Sequence, residues 1–320
     1  MVELHLPVME KETLHYLDCR SDGIYVDATV GDGGHAEAIC RRLGTGGLLV
    51  GLDWDEAALE RSAERLVGYG EQVKLFHADY TGLESVLDQE GIFLVNGILV
   101  DLGASTLQLL NADRGFSFHR SGDLDMRMDR RLPVTAKEII NTYNDQELAE
   151  IFYEYGEERW SRRIAARIVQ EREQAGFITD SARLAEVVKD AIPARYRRSG
   201  RHPARRVFQA LRLAVNRELD NLEQVLPRAV KRLVPGGRLC IISYHSLEDR
   251  RVKKFFREQA GQCNCPPDKP CVCDRKAELK ILTSKAIKPS EEEIAANPRA
   301  RSARLRAAER LVNQGKKEGE

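Results

Sequence analysis

Val26-Asp27-Ala28-Thr29-Val30-Gly31-Asp32-Gly33-Gly34-His35 reads as a short apolar strand running into a glycine-rich turn, after which Ala36-Glu37-Ala38-Ile39 reads as a helix. The loop of such a strand–loop–helix can lie flat on a ligand, because glycine carries no Cβ to hold the ligand away. A second apolar run, Leu48-Leu49-Val50-Gly51-Leu52-Asp53, ends in a carboxylate. It falls about 20 residues after the first glycine, the spacing at which a doubly wound sheet presents an acidic residue to a ribose diol. The pair of strands implies a nucleoside-containing ligand.

Gly31-x-Gly33-x-x-Ala36 also satisfies the loose dinucleotide fingerprint, which many loops match by chance. Asp27, inside the strand and ahead of the first glycine, and Asp32 in the loop would repel a pyrophosphate. S-adenosylmethionine carries adenosine, a sulfonium and an ammonium but no phosphate, so the acidic loop suits it better. A nicotinamide dinucleotide and a purely structural glycine turn are the alternatives.

The 320-residue chain is long enough for two domains. Lys+Arg and Asp+Glu both number 50, so the distribution of charge, and not its sum, must indicate partners. No apolar run approaches a membrane span and no signal-peptide core precedes the first strand, which predicts a cytoplasmic protein without a membrane partner. Of seven cysteines, Cys19, Cys40 and Cys240 are scattered and read as core residues. Cys263, Cys265, Cys271 and Cys273 are numerous enough to close a structural zinc site, although the spacing is C-x-C twice and not C-x2-C. No catalytic metal is expected.

Apolar runs at 23–29, 48–53, 73–78 and 97–102 alternate with helical segments, the signature of a parallel sheet with right-handed crossovers. From Thr135 to about Arg206 only helical patterns occur, with Glu158 and Arg162 expected as an exposed i,i+4 pair. The α/β pattern resumes with one long helix over 208–233, a strand over 238–244, a helix over 247–258 and final strands within 279–282 and 301–307. The expected fold is α/β, a Rossmann-like sheet over 1–112 and 207–320 interrupted by an all-helical, substrate-recognising insert over 113–206.

Ligands in such sheets sit beyond the carboxyl ends of the strands. Asp101, at the end of Ile98-Leu99-Val100-Asp101, falls there, followed by Gln108. It is either a turn cap or a hydrogen-bond acceptor at the reaction centre. In Ser243-Tyr244-His245-Ser246-Leu247-Glu248-Asp249, Ser246 and Asp249 have capping-box spacing, and His245 stands just before that cap. A serine hydrolase is excluded, since no G-x-S-x-G elbow exists. Arg114–Phe118 with Asp123–Asp129 is expected to be a polar clamp or lid outside the core. Arg195, Arg197, Arg198, Arg201, Arg205 and Arg206, with Tyr196 and His202 among them, and a second set, Arg299, Arg301, Arg304, Arg306 and Arg310, fit either a solvated face or a phosphate-backbone footprint.

Together the glycine loop through His35, Asp101-Leu102-Gly103, Arg114–Phe118, Leu124–Met128, Tyr155-Gly156-Glu157-Glu158-Arg159, Phe208-Gln209-Ala210-Leu211-Arg212 and His245–Arg250 resemble the MraW/RsmH family over nearly the whole chain. The resemblance implies a class I methyltransferase that takes its methyl group from S-adenosylmethionine. Its substrate would be the N4 amino group of a cytidine in the decoding region of 16S rRNA in the small ribosomal subunit. It implies that Gly33, Gly34, His35, Asp53, Tyr80, Asp101 and Gln108 hold the donor. Asp101 is the candidate proton acceptor, with His245 beside it, and Phe116, Phe118 or Tyr244 is expected to receive the base. Residues 104–110 depart from the family pattern, which leaves a non-catalytic RNA-binding protein as one alternative. A DNA amino-methyltransferase is another, but Asp101-Leu102-Gly103 stands where its D/N/S-P-P-aromatic motif belongs.

Overall fold

The computed structural model describes residues 7–105, 108–109, 111–119, 121–197, 202–262 and 276–312. The four clustered cysteines, Arg198 and Arg201 lie outside the described residues. The chain divides into two compact units, Met1–Gly103 with Asp220–Glu320, and Ala104–Leu219.

The first unit is built on seven strands, β1 (Ile24–Asp27), β2 (Leu48–Asp53), β3 (Val73–His77), β4 (Val95–Asp101), β5 (Leu233–Ser243), β6 (Leu279–Ile281) and β7 (Arg304–Arg310). Their order is β3-β2-β1-β4-β5-β7-β6. Strands β1 to β5 are parallel, and β7 runs antiparallel to both its neighbours. Period-two alternation divides their side chains between two cores. Val26, Ile98, Val100, Leu239 and Ile241 meet helices α4 (Leu83–Gln89), α10 (Glu218–Arg232) and α11 (Ser246–Gln259) on one face. Tyr25, Leu49, Leu99, Cys240 and Ile242 pack with α1 (Glu10–Leu17), α2 (Gly34–Cys40) and α3 (Glu56–Leu66) on the other. A sheet covered on both faces requires the continuous apolar runs seen in the sequence. The strand order reverses between β1 and β4, so the crevice at their carboxyl ends is where this architecture accepts ligands.

The second unit is helical, with α5 (Ala136–Thr142), α6 (Asp145–Glu154), α7 (Ser161–Ala175), α8 (Ser181–Ala191) and α9 (Arg205–Asn216). Capping boxes at Thr135/Glu138 and Asn144/Glu147 start α5 and α6. This unit begins before, and ends after, the expected 113–206 segment, because α9 packs against α6. The single helix expected over 208–233 is instead two, broken at Arg217, whose φ of 50° is left-handed. Glu158 does not pair with Arg162. It lies before the helix begins, is buried, and accepts from the Trp160 N–H.

The segment expected to be a lid is core. Leu124, Met126 and Met128 are buried, and their polar neighbours Asp123, Asp125 and Arg127 alternate away from them. Arg114 is buried as well and donates from Nη2 to the carbonyls of Arg127 and Met128. Gly115 has φ +70°, and a Cβ there would stand 2.1 Å from the Asp123 carbonyl, so no other residue fits. Asn216 fastens this segment to α9. Its Nδ2 donates to the Met126 carbonyl at 2.8 Å, and its Oδ1 accepts from the Met128 N–H at 2.7 Å. Asn216→Leu would leave two buried backbone groups unsatisfied, at a cost of about 2–4 kcal/mol. Urea unfolding checks this, and a loss below about 0.5 kcal/mol, the size of an ordinary surface substitution, would contradict it.

Candidate active site

Asp53 fixes the glycine loop. One carboxylate oxygen accepts from the Gly31 N–H at 2.8 Å and the other from the Asp55 N–H at 2.9 Å. The ribose-facing residue of the sequence reading is thus also the strut that ties the end of β2 to the loop after β1. Gly33 caps α2 with φ +78°, and a Cβ there would press on Ser62 at 3.3 Å. Gly34 lies against Pro7 in the same way. Asp32 does not present a bare charge as expected, because Arg61 Nε bonds its Oδ1 at 2.8 Å. Repulsion of a pyrophosphate must therefore come from elsewhere.

It comes from the strand ends. Asp27, Asp53 and Asp101 terminate β1, β2 and β4, three adjacent strands. Among the described residues no lysine or arginine pairs with any of them. Burial pushes all three carboxyls up, Asp27 to about 7, Asp53 to about 6 and Asp101 to about 8. The charge of Asp53 reinforces the rise at Asp27, and that of Asp27 the rise at Asp101. Asp27 Oδ1 accepts from the Thr29 N–H at 3.2 Å, and its buried Oδ2 has no partner among the described residues. Thr29 Oγ1 in turn accepts from the Asp101 N–H at 2.7 Å, joining the ends of β1 and β4.

Asp101 Oδ1 accepts from the Tyr244 hydroxyl at 3.0 Å, and its Oδ2 lies 3.8 Å from His35 Nε2. Tyr244, one of three aromatics expected to receive the base, has a direct hold on Asp101. His245 has a different place from the one expected. It is the N-cap of α11, its Nδ1 accepting from the Glu248 N–H at 3.4 Å while its Nε2 lies 2.9 Å from Glu248 Oε1. The capping box is His245/Glu248 and not Ser246/Asp249. Asp249 instead holds Arg306 at 2.6 Å and Arg304 at 3.0 Å, which removes both arginines from the expected basic patch. Arg310 likewise bonds the Val230 carbonyl.

Tyr80 is buried at the start of the turn after β3, its ring centroid 5.7 Å from that of Trp54. Trp54 was missed, although an aromatic directly after the acidic residue of β2 is a readable signal. Gln108 belongs to the second unit, where it is buried and its Oε1 accepts from the Ser105 N–H at 3.0 Å. Phe116 is buried in that unit, and Phe118 stacks on His202 with ring centroids 4.7 Å apart. Arg197 closes the end of α8 by bonding the Ile192 and Asp190 carbonyls, and Arg206 bonds the Glu157 carbonyl.

The model of the MraW methylase family matches residues 2–311. The chain is 52% identical over 310 residues to the ribosomal RNA small subunit methyltransferase H of Halothermothrix orenii, covering 97% of this chain and 99% of that protein. It is 49% identical over 308 residues to the protein of the same name from Carboxydothermus hydrogenoformans, covering 96% and 98%. Among solved structures, a putative rRNA-methylase from Clostridium thermocellum matches at 12% identity and a TM-score of 0.46, covering 96% of this chain and 100% of that one.

Asp101 keeps its proton to about pH 8 in the folded protein against an ordinary value of 3.8. The folded state therefore binds more protons than the unfolded state across that window, and rising pH destabilises it. Asp101→Asn should flatten the decline, measured by urea unfolding at a series of pH values; an unchanged slope would mean that Asp101 titrates as an exposed carboxylate. Tyr244→Phe removes a hydrogen bond that favours the ionised form, so the Asp101 midpoint, followed by its carboxyl carbon-13 shift, should move upward.

Proposed function

Because this chain belongs to the MraW methylase family, we propose that it methylates the exocyclic N4 of a cytidine in the decoding region of 16S rRNA, within the small ribosomal subunit. It is an S-adenosylmethionine-dependent methyltransferase on a Rossmann-like α/β fold. The substrate implies a cytoplasmic enzyme, and among the described residues no helix is long and apolar enough to cross a membrane.

Three carboxyls at adjacent strand ends, Asp27 and Asp53 buried and Asp101 half-buried, with no lysine or arginine paired to them among the described residues, support this most directly. Such an edge attracts a positive ligand and repels a pyrophosphate, which disfavours a nicotinamide dinucleotide. When bound, S-adenosylmethionine supplies an electrophilic methyl group on a sulfonium. The residues present fit it: Asp27 has a buried acceptor without a partner among the described residues, and at Gly31 only the Thr29 carbonyl, at 3.8 Å, stands near the place of a Cβ. Asp53 would take the ribose hydroxyls on lone pairs not used by Gly31 and Asp55, with Trp54 and Tyr80 flanking the adenine. Gly34, His35 and Asp27 would complete the cradle. The local bond of Gln108 to Ser105 makes it the weakest member of the set.

A cytosine amino group is a poor nucleophile because its lone pair is delocalised into the ring. Asp101 would accept one amino N–H, localise that lone pair and take the proton released as the new N–C bond forms. Asp101 is held up at about 8 without ligand, and the positive charge of the bound donor would lower that value and leave an ionised carboxylate to accept the proton. The Tyr244 hydroxyl fixes Oδ1, which leaves Oδ2 for the substrate. His245 contributes by capping α11 behind Tyr244, whose N–H donates to the same Glu248 carboxylate. It acts as a positioning residue.

Nucleoside mass analysis of small-subunit rRNA from cells with and without the gene tests the assignment. N4-methylated cytidine should vanish with the gene, and its persistence would contradict the function. Asp101→Asn should slow single-turnover methyl transfer roughly 10²–10⁴-fold at saturating donor and RNA. A normal rate would remove Asp101 from the chemistry.

A further inference from the structure

The arginines of this protein are mostly engaged internally, as with Arg61, Arg127, Arg212 and Arg306, each bonded to a carboxylate. One place on the helical unit departs from that pattern. Arg159, Arg162, Arg163 and Arg195 are exposed, and among the described residues none pairs with an acidic side chain. Two of them flank a pair of half-buried aromatic rings. The Arg159 guanidinium carbon lies 5.3 Å from the Trp160 ring centroid and 4.3 Å from that of Tyr196. The Arg195 guanidinium lies 4.8 Å from Tyr196. The two rings are 5.4 Å apart and inclined by 45°. Arg162 and Arg163 follow in the first turn of α7.

We infer that Arg159, Trp160, Arg195 and Tyr196, with Arg162 and Arg163 beside them, form a stacking platform for unpaired bases of the substrate RNA. The inference rests on the RNA function proposed above and adds where, and through which chemistry, the strand is gripped. A guanidinium lying on an aromatic ring offers a flat, delocalised face to a base and five N–H donors to phosphate oxygens. Alternation of planar faces with unneutralised positive charge matches a single strand, whose bases are free to splay and whose backbone runs alongside. A duplex keeps its bases stacked on each other and uses only the charge. An acidic peptide likewise has no use for the rings. The structural alternative is that the stack merely pins the Ala194–Tyr196 turn to the start of α7. That role would change thermal stability and leave RNA affinity alone.

The test uses the full chain and a fluorescein-labelled single-stranded RNA in fluorescence anisotropy, beside methyl transfer to small-subunit rRNA. Tyr196→Ala and Arg159→Ala should each weaken single-strand binding by about five- to a hundredfold. They should raise KM for rRNA while kcat at saturating RNA and donor affinity hold. Tyr196→Phe retains the ring and should restore binding, and a duplex of the same length should compete poorly. Replacing Arg162 and Arg163 by Gln should flatten the salt dependence by roughly 0.7 log unit for each phosphate no longer neutralised. Unchanged RNA affinity, a parallel loss of donor affinity, or displacement of the RNA by polyglutamate as readily as by RNA would overturn the platform. A wild-type protein that methylates rRNA beside silent variants defeats the platform alone. One that binds single strands through these residues yet methylates no rRNA defeats the proposed function and leaves the platform standing.

Discussion

Asp27, Asp53 and Asp101 are brought together by nothing more than the parallel pairing of β1, β2 and β4, which ends three strands in carboxylates at one edge of the sheet. Buried carboxylates without a cation are costly, and a fold optimised for stability alone would have replaced or neutralised at least one. Retaining all three stores a demand for positive charge at the crevice where this topology takes ligands. The glycine loop is subordinate to that demand, because its first N–H is tied to Asp53 and its Thr29 hydroxyl to the start of the Asp101 turn. Binding and chemistry thereby share one electrostatic origin. The cation that this edge would attract is also what would lower the Asp101 value and free its carboxylate to accept a proton.

Much of this was legible in the sequence, for definite reasons. The strands were readable because a sheet covered on both faces demands continuous apolar runs. Asp27 and Asp53 were visible as acids in the strands beside the glycine loop, and Asp101 as an acid at the end of a buried run. What stayed hidden depended on partners distant in the chain or on rules that tertiary structure overrode. Asp249 looks like a helix cap in sequence, and only pairing of β5 with β7 brings Arg304 and Arg306 onto it. His245 is an unusual N-cap, and the reciprocal Glu248 bond that makes it one was masked by the commoner serine pattern three residues before Asp249. Segment 123–129 was judged by its charges, whereas the alternation of Leu124, Met126 and Met128 carried the structural information.

The helical unit follows a different logic from the sheet. Its core is held by backbone-directed polar residues, Asn216 and Arg114, which satisfy an irregular segment that no regular element could pair. Its surface holds exposed arginines, Arg159, Arg162, Arg163 and Arg195, that pair with no acidic side chain among the described residues. On the proposed function the two units would divide the problem of a zero-charge methyltransferase: the sheet would provide negative charge for a cationic donor, and the insert positive charge for an anionic substrate.

The most direct measurement is the proton stoichiometry of S-adenosylmethionine binding, obtained by calorimetry in buffers of different ionisation enthalpy at about pH 6.5, where the ligand's amino group is already protonated. Seating a cation among carboxyls held at about 7 and about 8 must expel protons, so net release is expected, diminished in Asp101→Asn. Binding with no proton release, or with uptake, would contradict the account.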